Sequence, residues 1–277
     1  MTKWRAKQVG DTILGSIWTE RVHPTKGRQR KTPSHEERFS TSISRTRREV
    51  KEIALCNHWS FFGTITFAPQ MAQDSEPFAL VETVKNCIDE MNHGLSTPMK
   101  YLLVPECYDD HRERIHIHAL FENVPEGFLE SFATKVGKKP SYVYRKMKAG
   151  KNVYAMPELE KRYGFTVVIG IDNIETVIGY MGKSLSTAYT YCPKGCHLFR
   201  ASRGLKRAEV LGEGYCSVEN QKKMEQLAGE TYYHRAAPGG TIYGETCICR
   251  DSPQATALIA KMMAEDNGGA AKNKKNA

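Results

Sequence analysis

The sequence predicts an α+β fold, a central antiparallel sheet with flanking helices. Three observations carry that expectation. Between residues 60 and 190, segments of strand and helix character follow one another in the order β-α-β-β-α-β-α. Two of the strands are separated only by a polar segment, for which an antiparallel hairpin is the simplest connection. The two longest helical segments each carry an apolar stripe of helical period, as helices laid against a sheet require.

Each element has its own warrant. FFGTITF at 61–67 is short, aromatic and β-branched, which makes it a strand. Residues 76–93 place Phe78, Val81, Val84, Ile88 and Met91 at helical spacing, so a helix covers the sheet there. KYLLVPE at 100–106 and RIHIHALF at 114–121 are the hairpin strands, with CYDDHRER between them. Residues 126–136 read as a short helix, followed by a basic stretch expected to be a mobile loop in part. FTVVIGI at 165–171 is a buried strand by composition. Asp172 or Asn173 can cap a helix running through Ser186, with Ile174, Val177, Ile178, Met181 and Leu185 as its stripe. HLFRASRGLKR at 197–207 looks like a strand and a basic turn, and residues 267–277 form a tail with no reason to fold.

The chain of 277 residues is long enough for one large domain or two small ones. The expected division is a basic, partly disordered arm over 1–55, a main domain over 56–216, and a C-terminal extension with a disordered tail over 217–277. No run of about 18 apolar residues exists, which excludes a transmembrane helix. The start of the sequence has basic residues but no apolar run behind them, so a secretory signal is not expected and a cytoplasmic location is. The eight cysteines are spread through the chain, which fits reduced thiols. Cys192, Cys196 and His197 with Cys247 and Cys249 match no common zinc spacing.

The net charge of +9 is unevenly placed. Residues 1–50 hold twelve Lys or Arg against five Asp or Glu. Residues 131–157 carry Lys135, Lys138, Lys139, Arg145, Lys146, Lys148 and Lys151 with no acid. Residues 176–208 carry Lys183, Lys194, Arg200, Arg203, Lys206 and Arg207, again with none. A charge run is often only a solvated face. Here Tyr142, Tyr144, Tyr154, Tyr180 and Phe199 are interleaved, and cations along a phosphate backbone with rings for bases describe single-stranded nucleic-acid binding.

The chemistry concentrates on the hairpin and the last helix. Side chains two apart in a strand share a face, so His116 and His118 project together while Ile115, Ile117 and Phe121 point away. If residue 106 pairs with 116 and 104 with 118, Glu106 joins them, giving two nitrogens and a carboxylate for one metal ion. On the helix, Tyr180 and Lys183 lie within about 60° of each other and away from the apolar stripe. A tyrosine with a lysine one turn on suits a nucleophile with a cation beside it. Gly182-Lys183-Ser184 ends like a phosphate-binding loop, but that motif's first glycine is Val177 here, in the apolar stripe, so an ATPase is not expected.

Together FFGTITF, VPE, RIHIHAL and IGYMGKS, in this order and spacing, resemble the HUH endonucleases, specifically the rolling-circle replication initiators of phages and plasmids. RASRGLK is similar to a segment of the phage gene-II and gene-A-like replication proteins. The resemblance covers roughly residues 60–207 and implies an RRM-like HUH nuclease fold. It implies His116 and His118 as metal ligands, Glu106 as the third, Tyr180 as nucleophile and Lys183 as its cationic neighbour. Some relatives carry a second tyrosine four residues on; that place is Ser184, which implies a single-tyrosine mechanism. The implied activity is nicking and rejoining of single-stranded or extruded origin DNA through a 5′-phosphotyrosine, with Mg²⁺ or Mn²⁺ as cofactor. DNA would lie along Lys138, Lys139, Arg145, Lys146, Lys148, Arg200, Arg203, Lys206 and Arg207, and a host helicase and polymerase would be partners. A relaxase or transposase of the same fold, and a non-catalytic DNA-binding protein, are the alternatives.

Overall fold

The computed structural model describes residues 2–19, 35–74, 77–108, 111–189, 192, 196–228, 233–237, 241–249 and 252–273. In chain order its elements begin with β1 (Thr2–Val9), β2 (Thr12–Thr19), α1 (His35–Cys56), β3 (Phe61–Phe67), α2 (Pro69–Asp74), α3 (Pro77–Met91), β4 (Lys100–Tyr108) and β5 (His111–Glu122). There follow β6 (Glu130–Ser131), α4 (Ser141–Lys148), β7 (Val153–Ala155), α5 (Pro157–Tyr163), β8 (Gly164–Gly170) and α6 (Ile174–Tyr189). The last are β9 (Arg200–Ala201), β10 (Glu209–Tyr215), α7 (Val218–Ala228), β11 (Tyr233–Ala237), β12 (Thr241–Cys249) and α8 (Pro253–Asn273). The chain divides into two units, Ser40–Lys206 and a second made of Met1–Phe39 with Arg207–Ala277.

The Ser40–Lys206 unit is the expected antiparallel sheet flanked by helices. Seven strands run in the order β6-β7-β8-β3-β5-β4-β9. One face, bearing Ile65, Leu103, Ile117, Ala119 and Phe121, packs against Val81, Val84 and Ile88 of α3 and Leu159 of α5. The other face buries Leu102, Val104 and Leu120 beneath Ile178, Met181, Leu185 and Ala188 of α6 and Val50, Ile53 and Ala54 of α1. A smaller cluster on that second face joins Val143 and Met147 of α4 to Val153, Phe165, Val167 and Ile169. Ile117, Leu120 and Phe121 have no exposed surface, so this sheet is a two-sided core.

The second unit is a five-stranded antiparallel sheet, order β10-β1-β2-β12-β11. Trp4, Ala6, Ile13 and Ile17 on one of its faces pack against Met224 of α7 and Ala255, Leu258, Ile259 and Met262 of α8.

Three expectations are corrected. The segment 1–55 is not a partly disordered arm in its described residues: it supplies β1, β2 and most of α1. Lys3, Arg5 and Lys7 alternate with Trp4 and Ala6, so these three belong to one face of β1. Residues 126–136 form only a 3₁₀ turn at Glu126–Phe128 and the short β6, because Leu129 is extended. The basic stretch 131–157, expected to be loop in part, has no regular element over 132–140 and 149–152, and carries α4, held by buried Val143, and β7. The supposed tail is mostly the end of α8, which runs to Asn273.

Candidate active site

The hairpin register places the hairpin's polar side chains together. Glu106 pairs with His116 and Val104 with His118, as the alternation of β4 and β5 requires. On the other side of β5, Thr66 of β3 pairs with His116 and Thr64 with His118. The sheet therefore carries two polar rows, Thr66–His116–Glu106 and Thr64–His118, on the face that α6 and α4 share. α6 covers β4 and α4 covers β7 and β8, so these rows occupy the strip between the two helices.

His118 is buried at 2% exposure and Glu106 at 8%, so their polar atoms need partners. They find each other, with His118 Nε2 2.8 Å from Glu106 Oε2. The second carboxylate oxygen, Oε1, accepts from the Ser184 hydroxyl of α6 at 3.0 Å. With the Nε2 hydrogen given to Glu106, Nδ1 of a neutral His118 accepts from Thr64 Oγ1 at 3.3 Å. Thr66 Oγ1 and His116 Nδ1 are hydrogen-bonded at 2.9 Å. Each imidazole is thus fixed in orientation by a β3 hydroxyl, as ligating histidines are by their outer partners.

Tyr180 stands at the mouth of this arrangement. Its ring meets the His118 ring edge-on, centroids 4.8 Å apart, and is 43% exposed. Phe62 stacks on His118 at 5.6 Å, so the imidazole lies between two aromatic rings. Asn173 Oδ1 caps α6 by accepting the Thr176 N–H at 2.7 Å, which sets where the helix begins and thus its rotation. That rotation puts Tyr180 and Ser184 on adjacent turns beside the sheet, and leaves Lys183 exposed. α6 is helical throughout Ile174–Tyr189, so Gly182-Lys183-Ser184 forms no phosphate loop. On its far side, Arg47 of α1 donates to the Gly182 carbonyl at 2.8 Å and to Ser186 Oγ.

The basic residues sort into two groups. Arg145, Lys146 and Lys148 lie exposed on α4, with Lys138 exposed just before it, and Arg203 and Lys206 are exposed after β9. Lys139 donates to the Lys135 carbonyl at 3.0 Å. Lys135 is neutralised by Glu130 and Glu160, and Lys151 by Asp172. Arg200 pairs with Glu82 at 2.6 Å, and its hydrogen bond holds the Glu82 carboxyl below the usual range. Arg200 therefore ties β9 to α3. Arg207 belongs to the other unit.

Sequence reasoning missed Thr64, Thr66, Phe62 and the pairing of Ser184 with Glu106. The alternation in FFGTITF carried the first three, since it puts Phe62, Thr64 and Thr66 on one face. Gly164 lies behind them: its φ of +137° and the 2.5 Å from its notional Cβ to the Thr66 carbonyl admit only glycine. Among the described residues, no set of three or more His, Cys, Asp or Glu stands arranged as a metal cage. No protein-family model, curated protein or solved structure matches this chain.

Proposed function

We propose that the chain is a metal-dependent DNA endonuclease and strand transferase, a replication initiator that nicks and rejoins single-stranded origin DNA. The observation that carries this reading is the half-exposed Tyr180 ring set against the buried His118–Glu106 pair. The Tyr180 phenol oxygen attacks the scissile phosphorus, and the bond to the 3′ oxygen breaks. The phenol proton passes to the departing oxygen, leaving a 5′-phosphotyrosine and a 3′-hydroxyl. Reversal by that hydroxyl, or by another, rejoins a strand without a nucleotide cofactor, because one phosphoester replaces another. Lys183 lies one turn along and offers its charge to the phosphate, and Arg145, Lys146 and Lys148 across the strip hold the strand.

The donor chemistry fits a divalent cation. Glu106, His116 and His118 would hold it, with Mn²⁺ favoured over Mg²⁺ by imidazole ligands. When bound it supplies Lewis-acid polarisation of the phosphate. For His118 to ligate through Nε2, its proton must move to Nδ1, and the Thr64 hydroxyl can accept there as readily as it can donate.

The closed Glu106–His118 hydrogen bond also suits a second reading, a non-catalytic DNA-binding protein in which the pair is structural. One experiment separates them. The protein is incubated with single-stranded origin DNA and Mn²⁺, and a covalent adduct is sought on a denaturing gel. Wild type yields the adduct, Tyr180→Phe yields none, and His116→Ala/His118→Ala binds DNA but does not cut. No adduct from wild type, or as much from Tyr180→Phe, removes the nuclease. A relaxase or transposase would share the adduct and differ in the DNA that gives it.

A further inference from the structure

α4 lies along the strip that holds His116, and its sequence decides which side chains it turns that way. Val143 is buried and Met147 half-buried among Val153, Phe165 and Val167, so these two set the face that meets the sheet. At 100° per residue, Tyr142 and Lys146 then share one flank, and Tyr144 and Lys148 the other. The short connection to β7 makes α4 antiparallel to β7 and therefore parallel to β8. Ile171 donates its N–H to the Ser60 carbonyl and Ala68 to that of Tyr163, so the odd-numbered residues of β8 are the ones bonded to β3. For L-residues this puts β3 on the right of β8, seen from α4 with β8 running upward. A right-handed helix running the same way turns its Tyr142–Lys146 flank to that side, toward Thr64, Thr66 and His116.

The ring contacts agree. Tyr142 meets Phe165 edge-on, centroids 6.4 Å apart, and Phe165 heads the cross-strand row Phe165–Thr66–His116–Glu106. Along that row two strand spacings, about 10 Å, separate Phe165 from His116. An edge-on contact leaves at least one face of the Tyr142 ring uncovered by Phe165, and the residue is 37% exposed. Burial, and then the Glu160 carboxylate, push its phenol up to about 12, so it is a neutral ring rather than a second nucleophile. Glu160 itself is paired with Lys135. Lys146 is exposed, and among the described residues no hydrogen bond, ion pair or ring contact engages its side chain. Lys135, Lys139 and Lys151 of the same basic stretch are all held.

We infer that this flank is a nucleotide subsite for single-stranded DNA, in which the Tyr142 ring stacks a base and Lys146 takes the adjoining phosphate. It rests on the endonuclease reading for the place of that nucleotide, beside the phosphate presented to Tyr180. At 3.4 Å per stacked nucleotide, about three nucleotides at most cover the distance to His116. A ring with a cation one turn on suits a single strand, because stacking accepts any base while the charge follows the backbone. A duplex keeps its bases against one another and offers this ring only sugar and phosphate.

The test uses the full chain in EDTA, where binding of fluorescent oligothymidylate is read without cutting. Tyr142→Leu keeps an apolar group on Phe165 but has no ring, and should bind about 5-fold more weakly. Tyr142→Phe and Tyr142→Trp, which keep a ring, should stay within about 2-fold of wild type. Lys146→Gln, at an exposed position, should lower the slope of log K against log salt by about 0.7. Photo-crosslinking of 5-bromouracil-substituted oligothymidylate should mark Tyr142 in wild type, which keeps the test open should Tyr142→Leu fail to fold. Folded Leu and Phe variants that bind alike, an unchanged slope, or crosslinks that miss α4 overturn the assignment. An equal Tyr142→Leu loss on the duplex with oligoadenylate overturns it as well. A wild type that crosslinks at Tyr142 yet forms no adduct in Mn²⁺ keeps the subsite and removes the nuclease.

Discussion

The two sheets of this protein differ in how their faces are covered. The seven-stranded sheet has helices against both faces, so any polar side chain on it is drawn toward the interior. His118 and Glu106 are accordingly buried and satisfied by one another and by hydroxyls from a strand and a helix. Among the described residues the five-stranded sheet has α7 and α8 packed on its Trp4 face, and β1 sets Trp4 and Ala6 on that face and Lys3, Arg5, Lys7 and the buried Val9 on the other. The first arrangement fixes a few polar atoms in place, as chemistry demands. The second keeps the cations of β1 off its helix-covered face.

Substitutions test that contrast. The largest effect is expected on the helix-covered side of the smaller sheet. Trp4 has no exposed surface, so Trp4→Ala should cost about 3–5 kcal/mol in denaturant unfolding. Trp4→Phe should recover most of that, because the indole N–H is buried without a hydrogen-bond partner. Lys3→Ala, one residue away on the other face, should change stability by less than about 0.5 kcal/mol. Equal losses at the two positions would mean that Lys3 is packed as tightly as Trp4.

Gly164→Ala comes next. It forces a side chain into the Thr66 backbone at a left-handed position, for an expected cost of about 2 kcal/mol. Because Thr66 Oγ1 holds His116, the variant should also cut more slowly while Tyr180 is untouched. Hydrogen exchange should report faster opening in β3 and β8, and unchanged protection there would show that the turn accommodates the methyl group.

A smaller loss than at Gly164 is expected at Ser184. Ser184→Ala removes the donor to Glu106 Oε1 and should cost about 1 kcal/mol. As a positioning residue it should raise the Mn²⁺ concentration needed for half-maximal adduct by several-fold, and Ser184→Thr should restore it. A stability loss with unaltered metal response would make Ser184 merely structural.

Much of the larger sheet was legible because its signals are local. His-x-His alternation fixes which residues share a face, and a short hairpin leaves few registers, so Glu106 could be set opposite His116 from the sequence. Tyr180 stood out because it departs from the apolar stripe of its own helix. The smaller sheet was illegible for the opposite reason. In Lys3-Trp4-Arg5-Ala6-Lys7 the alternation is present, yet its apolar half is one tryptophan and one alanine, and the charge density reads as disorder. Its partner strands β10 and β12 lie some two hundred residues away, beyond any local pattern. The threonine supports of the histidines were hidden too, since a threonine in a strand is ordinarily explained by β-propensity.

That long-range pairing has a consequence for the order of events in synthesis. β1 and β2 can form only a lone hairpin until β10 and β12 have left the ribosome, and a two-stranded hairpin is marginal in water. Ser40–Lys206 is complete well before then and has mostly nearer contacts to make. The Ser40–Lys206 unit is thus placed to mature first, and the five-stranded sheet closes last, once β10 and β12 have been made.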